Sequence, residues 1–210
     1  MFFDVDGTLV YDTSSSRHLA RHLGHWAALS EAEDAYAAGI IDNREVSVLD
    51  AGGWQNASDA HVQRVLSDLP LVDGIAEVVA WCRQRGLSPL LATLAWEPVG
   101  RYLCDRFGFD GACGPMLERR DGVYTGAVER HFDEFDKREF AVRTAASRGL
   151  MLSSCAAVGD SRSDIPLFNQ VGFAIAFNAT PAAQAAATAS VSGRDLCAII
   201  PSLDDWLNRR

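Results

Sequence analysis

From Leu71 onward the chain alternates short apolar runs with helical stretches, a rhythm that few backbone arrangements accommodate. Such strands pair in parallel, with a helix crossing over between one strand and the next, so the texture predicts an α/β fold built from βαβ units around a parallel sheet. The spacing predicts helices over 75–85, closed by Gly86, over 97–107, and over 136–148, closed by Gly149. Strands are expected over 87–93, 155–159 and 172–177. Within MLERRDGVYTG, the Asp121-Gly122 pair signals a hairpin turn, and AAQAAATAS reads as a late helix.

Residues 13–69 have a different texture. Their apolar positions recur at helical spacing with no clear strand; Ser30 with Glu33 suggests a capping box, and Ser58 an N-cap ahead of Val62, Val65, Leu66 and Leu69. The stretch AGGWQNAS, residues 51–58, reads as a loop with a glycine pair. The expected organisation is a core of residues 1–12 and 70–210 with a helical unit, 13–69, inserted in it. A chain of 210 residues, 48% of them apolar, can bury a core of that kind.

A net charge of -9 argues against a broad electrostatic grip on nucleic acid or an anionic membrane surface, so an anionic ligand has to be held locally. No run approaches 18 apolar residues and the N-terminus lacks a basic, then apolar, leader pattern; a cytoplasmic protein is expected. Cys82, Cys104, Cys113, Cys155 and Cys197 are odd in number, scattered and free of any C-x-x-C, which points to free, mostly buried thiols.

The chemistry concentrates at strand ends. FFDVDGTLV places Asp4 and Asp6 two residues apart at the end of an apolar run, with Gly7 allowing a tight turn. GDSRSD, residues 159–164, puts Asp160 and Asp164 after another strand and before an apolar helix. Thr93 closes a third strand, and Lys137 lies at the start of a helix. Open α/β sheets bind ligands beyond the carboxyl ends of their strands, so these groups are expected to converge.

In these four motifs and their order, the chain resembles the haloacid dehalogenase superfamily, on its phosphoserine phosphatase-like branch; LPLVDGIAEVVAWCRQRG, LERRDGVYTGAV and FAIAFNATPAA also fall where that branch has similar segments. The resemblance implies a Rossmann-like, doubly wound parallel sheet core with a helical cap inserted after the first strand, Mg²⁺, and phosphoryl transfer through an aspartyl-phosphate. The residue types suit that chemistry. A carboxylate such as Asp4 can attack phosphorus and split one hard hydrolysis into two easier steps. Mg²⁺ prefers oxygen ligands, which Asp4, Asp160 and, by resemblance, the backbone carbonyl of Asp6 would supply, with Ser163 and Asp164 behind them. Lys137, Thr93 and the backbone around Gly7 can hold the phosphoryl oxygens. The side chain of Asp6 can act as general acid and then general base.

That last acid favours a phosphatase over a dehalogenase, since a departing halide needs no proton. Two other functions stay open: a phosphotransferase that passes the phosphoryl group to an alcohol, and a non-catalytic binding protein on the same fold. Partners are expected to be a small phosphorylated metabolite, with neither nucleic acid nor membrane, and a homodimer is compatible with the sequence. Three departures from the branch face the substrate. Thr13 stands where a glutamate meets the amino group of phosphoserine, Ser163 where Asn is usual, and Leu94-Ala95 where two glycines are usual. They weaken the case for phosphoserine itself.

His18, His22 and His25 recur at helical spacing, but no acid or cysteine obviously completes a metal site, and a wet helix face is expected. Trp54 and Trp96 are candidate pocket walls; Arg17, Arg21 and Arg44 are candidate anion contacts.

Overall fold

The computed structural model describes residues 1–209. Strand β1 (Phe2–Phe3) is the middle of a six-stranded sheet whose other members are β2 (Leu90–Ala92), β3 (Ala112–Cys113), β6 (Ala156–Gly159), β7 (Phe173–Phe177) and β8 (Ala189–Val191). Their order is β3-β2-β1-β6-β7-β8, and every pair is parallel. A parallel sheet needs cover on both faces, and successive residues of a strand point to opposite sides. Phe2 and Phe3 show how the sequence meets that demand. Phe3 joins Leu91, Val158, Ile175 and Phe177 under α5 (Ile75–Gln84), α6 (Glu97–Phe107) and α10 (Ile200–Asn208). Phe2 joins Leu90, Ala92, Ala157, Ala174 and Ala176 under α7 (Glu134–Ser147), α8 (Ile165–Phe168) and α9 (Pro181–Ala186). The fold is thus Rossmann-like and doubly wound, as expected.

Between β1 and α5 the chain forms α1 (Ser15–Leu23), α2 (Trp26–Ala37), α3 (Asn43–Gly53) and α4 (Asp59–Leu66). Two crossing segments lead out and back side by side: Tyr11 N–H donates to the Pro70 carbonyl (3.0 Å) and Val72 N–H to that of Leu9 (2.9 Å). Leu19, Trp54, Val62 and Leu66 join the same apolar cluster as Phe3, so these helices share a continuous core with the sheet. The antiparallel hairpin of β4 (Met116–Arg120) and β5 (Val123–Arg130) packs against α3. Its turn has φ of 51° at Asp121 and 78° at Gly122, the two positive values that a two-residue turn of this hand requires.

Several sequence expectations need correction. The 87–93 strand shrinks to β2 because Leu87 N–H still closes α5 through the Cys82 carbonyl, Pro89 has no N–H, and pairing begins with Leu90 N–H on Met1. Helix α7 starts two residues early, since Asp133 caps the Phe135 and Asp136 N–H groups and Asp136 reaches back to Asp133. Ser30 lies inside α2 rather than capping it, and Glu33 instead meets Arg17. The Ser58 cap is present, accepting from His61 N–H. Gly52 and Gly53 belong to the last turn of α3, where a side chain on Gly53 would overlap the His25 ring. The alanine-rich stretch ends its helix at Ala186 and then forms β8, because Thr188 bonds Ala174 of β7 through both backbone and hydroxyl. No disulfide forms among the described residues; Cys82, Cys113 and Cys155 are buried and Cys104 and Cys197 partly so. Among the described residues no helix is long and apolar enough to cross a membrane.

Candidate active site

From β1 the chain builds the sheet outward through β2 and β3, then returns to the other side of β1 with β6. The carboxyl ends of β1 and β6 therefore flank the point where the winding reverses, the place where such sheets bind ligands. Asp4 leaves β1 there, held in register by its N–H on the Val158 carbonyl (2.9 Å), and Asp160 leaves β6. Thr93 follows β2, and Lys137 enters from the first turn of α7. Gly7 turns the chain with φ +82°, and a Cβ on it would overlap the Asp160 carboxylate. Gly7→Ala is expected to displace Asp160, lowering kcat at least tenfold, about 1.4 kcal/mol in the barrier, as steady-state assays would show.

Lys137 Nζ sits 2.9 Å from Asp4 Oδ1 and 2.5 Å from Asp164 Oδ1. Lys137 and Asp164 are both buried, and the other oxygen of Asp164 accepts the N–H groups of Asp160 (3.0 Å) and Ser161 (3.1 Å). Burial alone would drive the Lys137 ammonium toward neutrality, but Asp164 and Asp4 outweigh it and hold the group charged, above its ordinary pKa. Burial, followed by the charges of Asp4 and Asp164, pushes the Asp160 carboxyl up. One ammonium thus faces an excess of acid.

That imbalance fits a metal. Oxygens of Asp4, Asp160 and Asp164 lie within 4.8 Å of one another, and Asp160 Oδ1 is buried with no hydrogen-bond partner. Hard carboxylate oxygens with surplus negative charge are the donor set of a divalent cation. The Asp6 carboxylate does not belong to this trio. It turns to the start of α1, accepting Ser15 N–H at 2.6 Å and the Ser15 hydroxyl at 3.0 Å. Burial pushes Asp6 up to about 7, against the Ser15 backbone bond, with Asp4 adding to the rise. An acid of that strength exchanges protons near neutrality.

Asp4, Asp6, Gly7, Thr93 and Asp160 line a cavity of about 730 Å³ between the sheet and the inserted helices, with Lys137 and Asp164 buried beside them. Thr93 Oγ1 accepts Ala95 N–H (3.0 Å), which leaves the hydroxyl proton free to donate inward. Ser163 also reaches the cavity, its hydroxyl 3.2 Å from that of Ser161. The opposite wall carries Ser14, Arg17, Glu33, Ser47 and Asp50, with Leu29, Val46 and Trp96 as apolar surface. Of the candidate arginines, Arg17 faces this cavity while paired to Glu33 and Asp34; Arg21 stacks on Trp26 and Arg44 lines a different cavity. Trp96 is a wall, whereas Trp54 is fully buried. The three histidines do not share one wet face: His22 is exposed, His25 is half-buried and His18 is buried. His18 is buried on the Val65 carbonyl (3.0 Å), His22 bonds the His18 carbonyl, and His25 bonds Asp50 (2.7 Å).

Sequence reasoning missed two residues. Ser15 is one of three consecutive serines at a helix start, and the signal was the likelihood of a cap there, not of a bond to Asp6. Asp50 is buried and accepts both the Trp54 (3.2 Å) and Trp96 (2.6 Å) indole N–H groups besides His25. No local pattern marks it, because its donors come from three separate segments.

An acid-rich site with one buried lysine, at the switch point of a doubly wound sheet, defines a phosphoryl-handling α/β protein by its chemistry. Residues 1–169 match the family described as haloacid dehalogenase-like hydrolase. Among relatives, the phosphoserine phosphatase of Halobacterium salinarum is 31% identical over 201 residues, covering 92% of each chain. That of Albidiferax ferrireducens is 26% identical over 201 residues, covering 92% of this chain and 84% of its own. Two solved phosphoserine phosphatases share the fold, each at 24% identity over 96% of both chains: a phospho-aspartyl intermediate analogue (TM-score 0.84) and a substrate-bound complex (TM-score 0.85). The chain belongs to the haloacid dehalogenase-like hydrolase family, in its phosphoserine phosphatase-like branch. Its enzyme class is that of the phosphoric monoester hydrolases.

Proposed function

We propose that the protein is a Mg²⁺-dependent, cytoplasmic phosphatase of a small phosphomonoester, working through an aspartyl-phosphate on Asp4. The observation that carries this reading is the pairing of Asp4 with Lys137 beside an unpartnered Asp160 oxygen. Bound Mg²⁺, held by Asp4, Asp160 and the Asp6 carbonyl, would supply the positive charge that lets one anion approach another. Asp4 attacks phosphorus while the bond to the leaving oxygen breaks. Two of the three Lys137 donors are taken by Asp4 and Asp164, and the third is left for a phosphoryl oxygen, alongside the Thr93 hydroxyl. The backbone at Gly7 adds donors. Asp6 protonates the leaving oxygen, then takes a proton from the water that attacks the phosphoaspartate, releasing inorganic phosphate and the free Asp4 carboxylate.

In this proposal residues 13–69 form a cap over the core of 1–12 and 70–210, excluding water and reading the leaving group. The similarity to phosphoserine phosphatases makes phosphoserine one substrate to test. Thr13, Ser163 and Leu94 all line the cavity, so the three departures bear directly on what it accepts. A panel of phosphorylated metabolites, assayed with Mg²⁺ and with chelator, tests the proposal; phosphate release that is indifferent to chelation contradicts it. Asp6→Asn is expected to lower kcat for alkyl esters by about 10² to 10⁴, the scale of a lost general acid. Mg²⁺ at about 100 times its Kd is expected to stabilise the fold by about 2.7 kcal/mol, read as a rise in Tm that chelation reverses.

A further inference from the structure

We infer that Ser15 is a positioning residue for the proton transfer, holding Asp6 in the rotamer that faces the leaving oxygen; the inference rests on the general-acid role proposed for Asp6. Both carboxylate oxygens of Asp6 are held by this one residue, Oδ1 by its N–H at 2.6 Å and Oδ2 by its hydroxyl at 3.0 Å. Ser15 is fully buried, so water does not substitute for either bond. A carboxyl that must aim a proton at one atom gains from having its plane fixed at two points, and a single bond would leave it free to rotate.

The backbone half of this clamp comes at no cost to the helix. Ser15 is the first residue of α1, where an N–H has no partner within the helix, so Asp6 takes up a donor that is otherwise unused. The hydroxyl half is the part that evolution could remove without altering the backbone. The neighbouring Ser14 does separate work: it caps Arg17 N–H (3.0 Å) and bonds Glu33 (3.2 Å). Position 15 alone therefore links α1 to Asp6 through a side chain.

The test uses two esters that differ in their need for a proton. The alkoxide of glycerol 2-phosphate must be protonated as it leaves, whereas p-nitrophenolate departs without help. kcat/KM covers the steps up to formation of the phosphoenzyme, so the ratio of the two values isolates proton donation. Ser15→Ala is expected to shift that ratio at least tenfold against glycerol 2-phosphate, the scale of one lost hydrogen bond to a charged group. Ser15→Thr, which keeps the hydroxyl, is expected to restore it. A merely structural role would lower both esters together, and an unshifted ratio in Ser15→Ala overturns the inference. Asp6→Asn separates the two levels: if it shifts the ratio and Ser15→Ala does not, only the role of Ser15 falls. If Asp6→Asn leaves the ratio unshifted, the general-acid reading falls and this inference with it.

Discussion

Asp4→Asn is expected to reduce hydrolysis of p-nitrophenyl phosphate by on the order of 10⁵ or more, the scale seen when an enzyme loses its nucleophile outright. An amide of the same shape cannot form the acyl phosphate, and the neighbouring carboxylates have other work: Asp164 is committed to Lys137 and two backbone N–H groups, Asp6 to Ser15, and Asp160, in the proposal, to Mg²⁺. The fold is expected to survive. Lys137 keeps its contact with Asp164, and the cluster loses one of its surplus charges. The variant should therefore unfold at a temperature no lower than the parent in chelator, while gaining less from Mg²⁺. Activity and stability part company here, which distinguishes a lost nucleophile from a damaged core.

Lys137→Met is expected to damage both. The ammonium is fully buried between two carboxylates, and removing one partner of such a set leaves the others charged without compensation. Losses of that kind cost about 3–5 kcal/mol, and methionine roughly conserves the volume, so the deficit reports charge rather than a cavity. Urea unfolding should show a lower midpoint with an unchanged m-value. Mg²⁺ should narrow the gap, since a cation bound to Asp4 and Asp160 offsets part of the missing charge. Turnover should remain lost even in saturating Mg²⁺, because the donor to the phosphoryl oxygens is gone.

The positions of Asp4, Thr93, Lys137 and Asp160 were legible because each sits at a strand end or helix start, and such punctuation is a local property of sequence. The helices over 97–107 and 75–85 were legible for the same reason, through periodicity closed by glycine. Boundaries failed where tertiary contacts decided them. α2 begins at Trp26 rather than near Ser30 while His25 is drawn to Asp50, and of the glycine pair inside α3 it is Gly53 that answers to the His25 ring rather than to a turn. β8 was hidden in an alanine-rich stretch because its only strand signal is its pairing with β7. In the site, Ser15 and Asp50 were invisible for a related reason: their importance lies in which distant atoms they meet. His18 is the reverse case, polar in sequence but buried against the Val65 carbonyl of α4.

The most direct test of Asp4 as the phosphorylated residue uses the Asp6→Asn variant with p-nitrophenyl phosphate. That ester needs no general acid to form the phosphoenzyme, but breakdown of the intermediate still needs the general base, so the intermediate should accumulate. After acid quench and peptide mapping, the account expects a hydroxylamine-labile phosphoryl group on the peptide that contains Asp4. A burst of p-nitrophenolate with that peptide unmodified, or with the phosphoryl group on another residue, would contradict it.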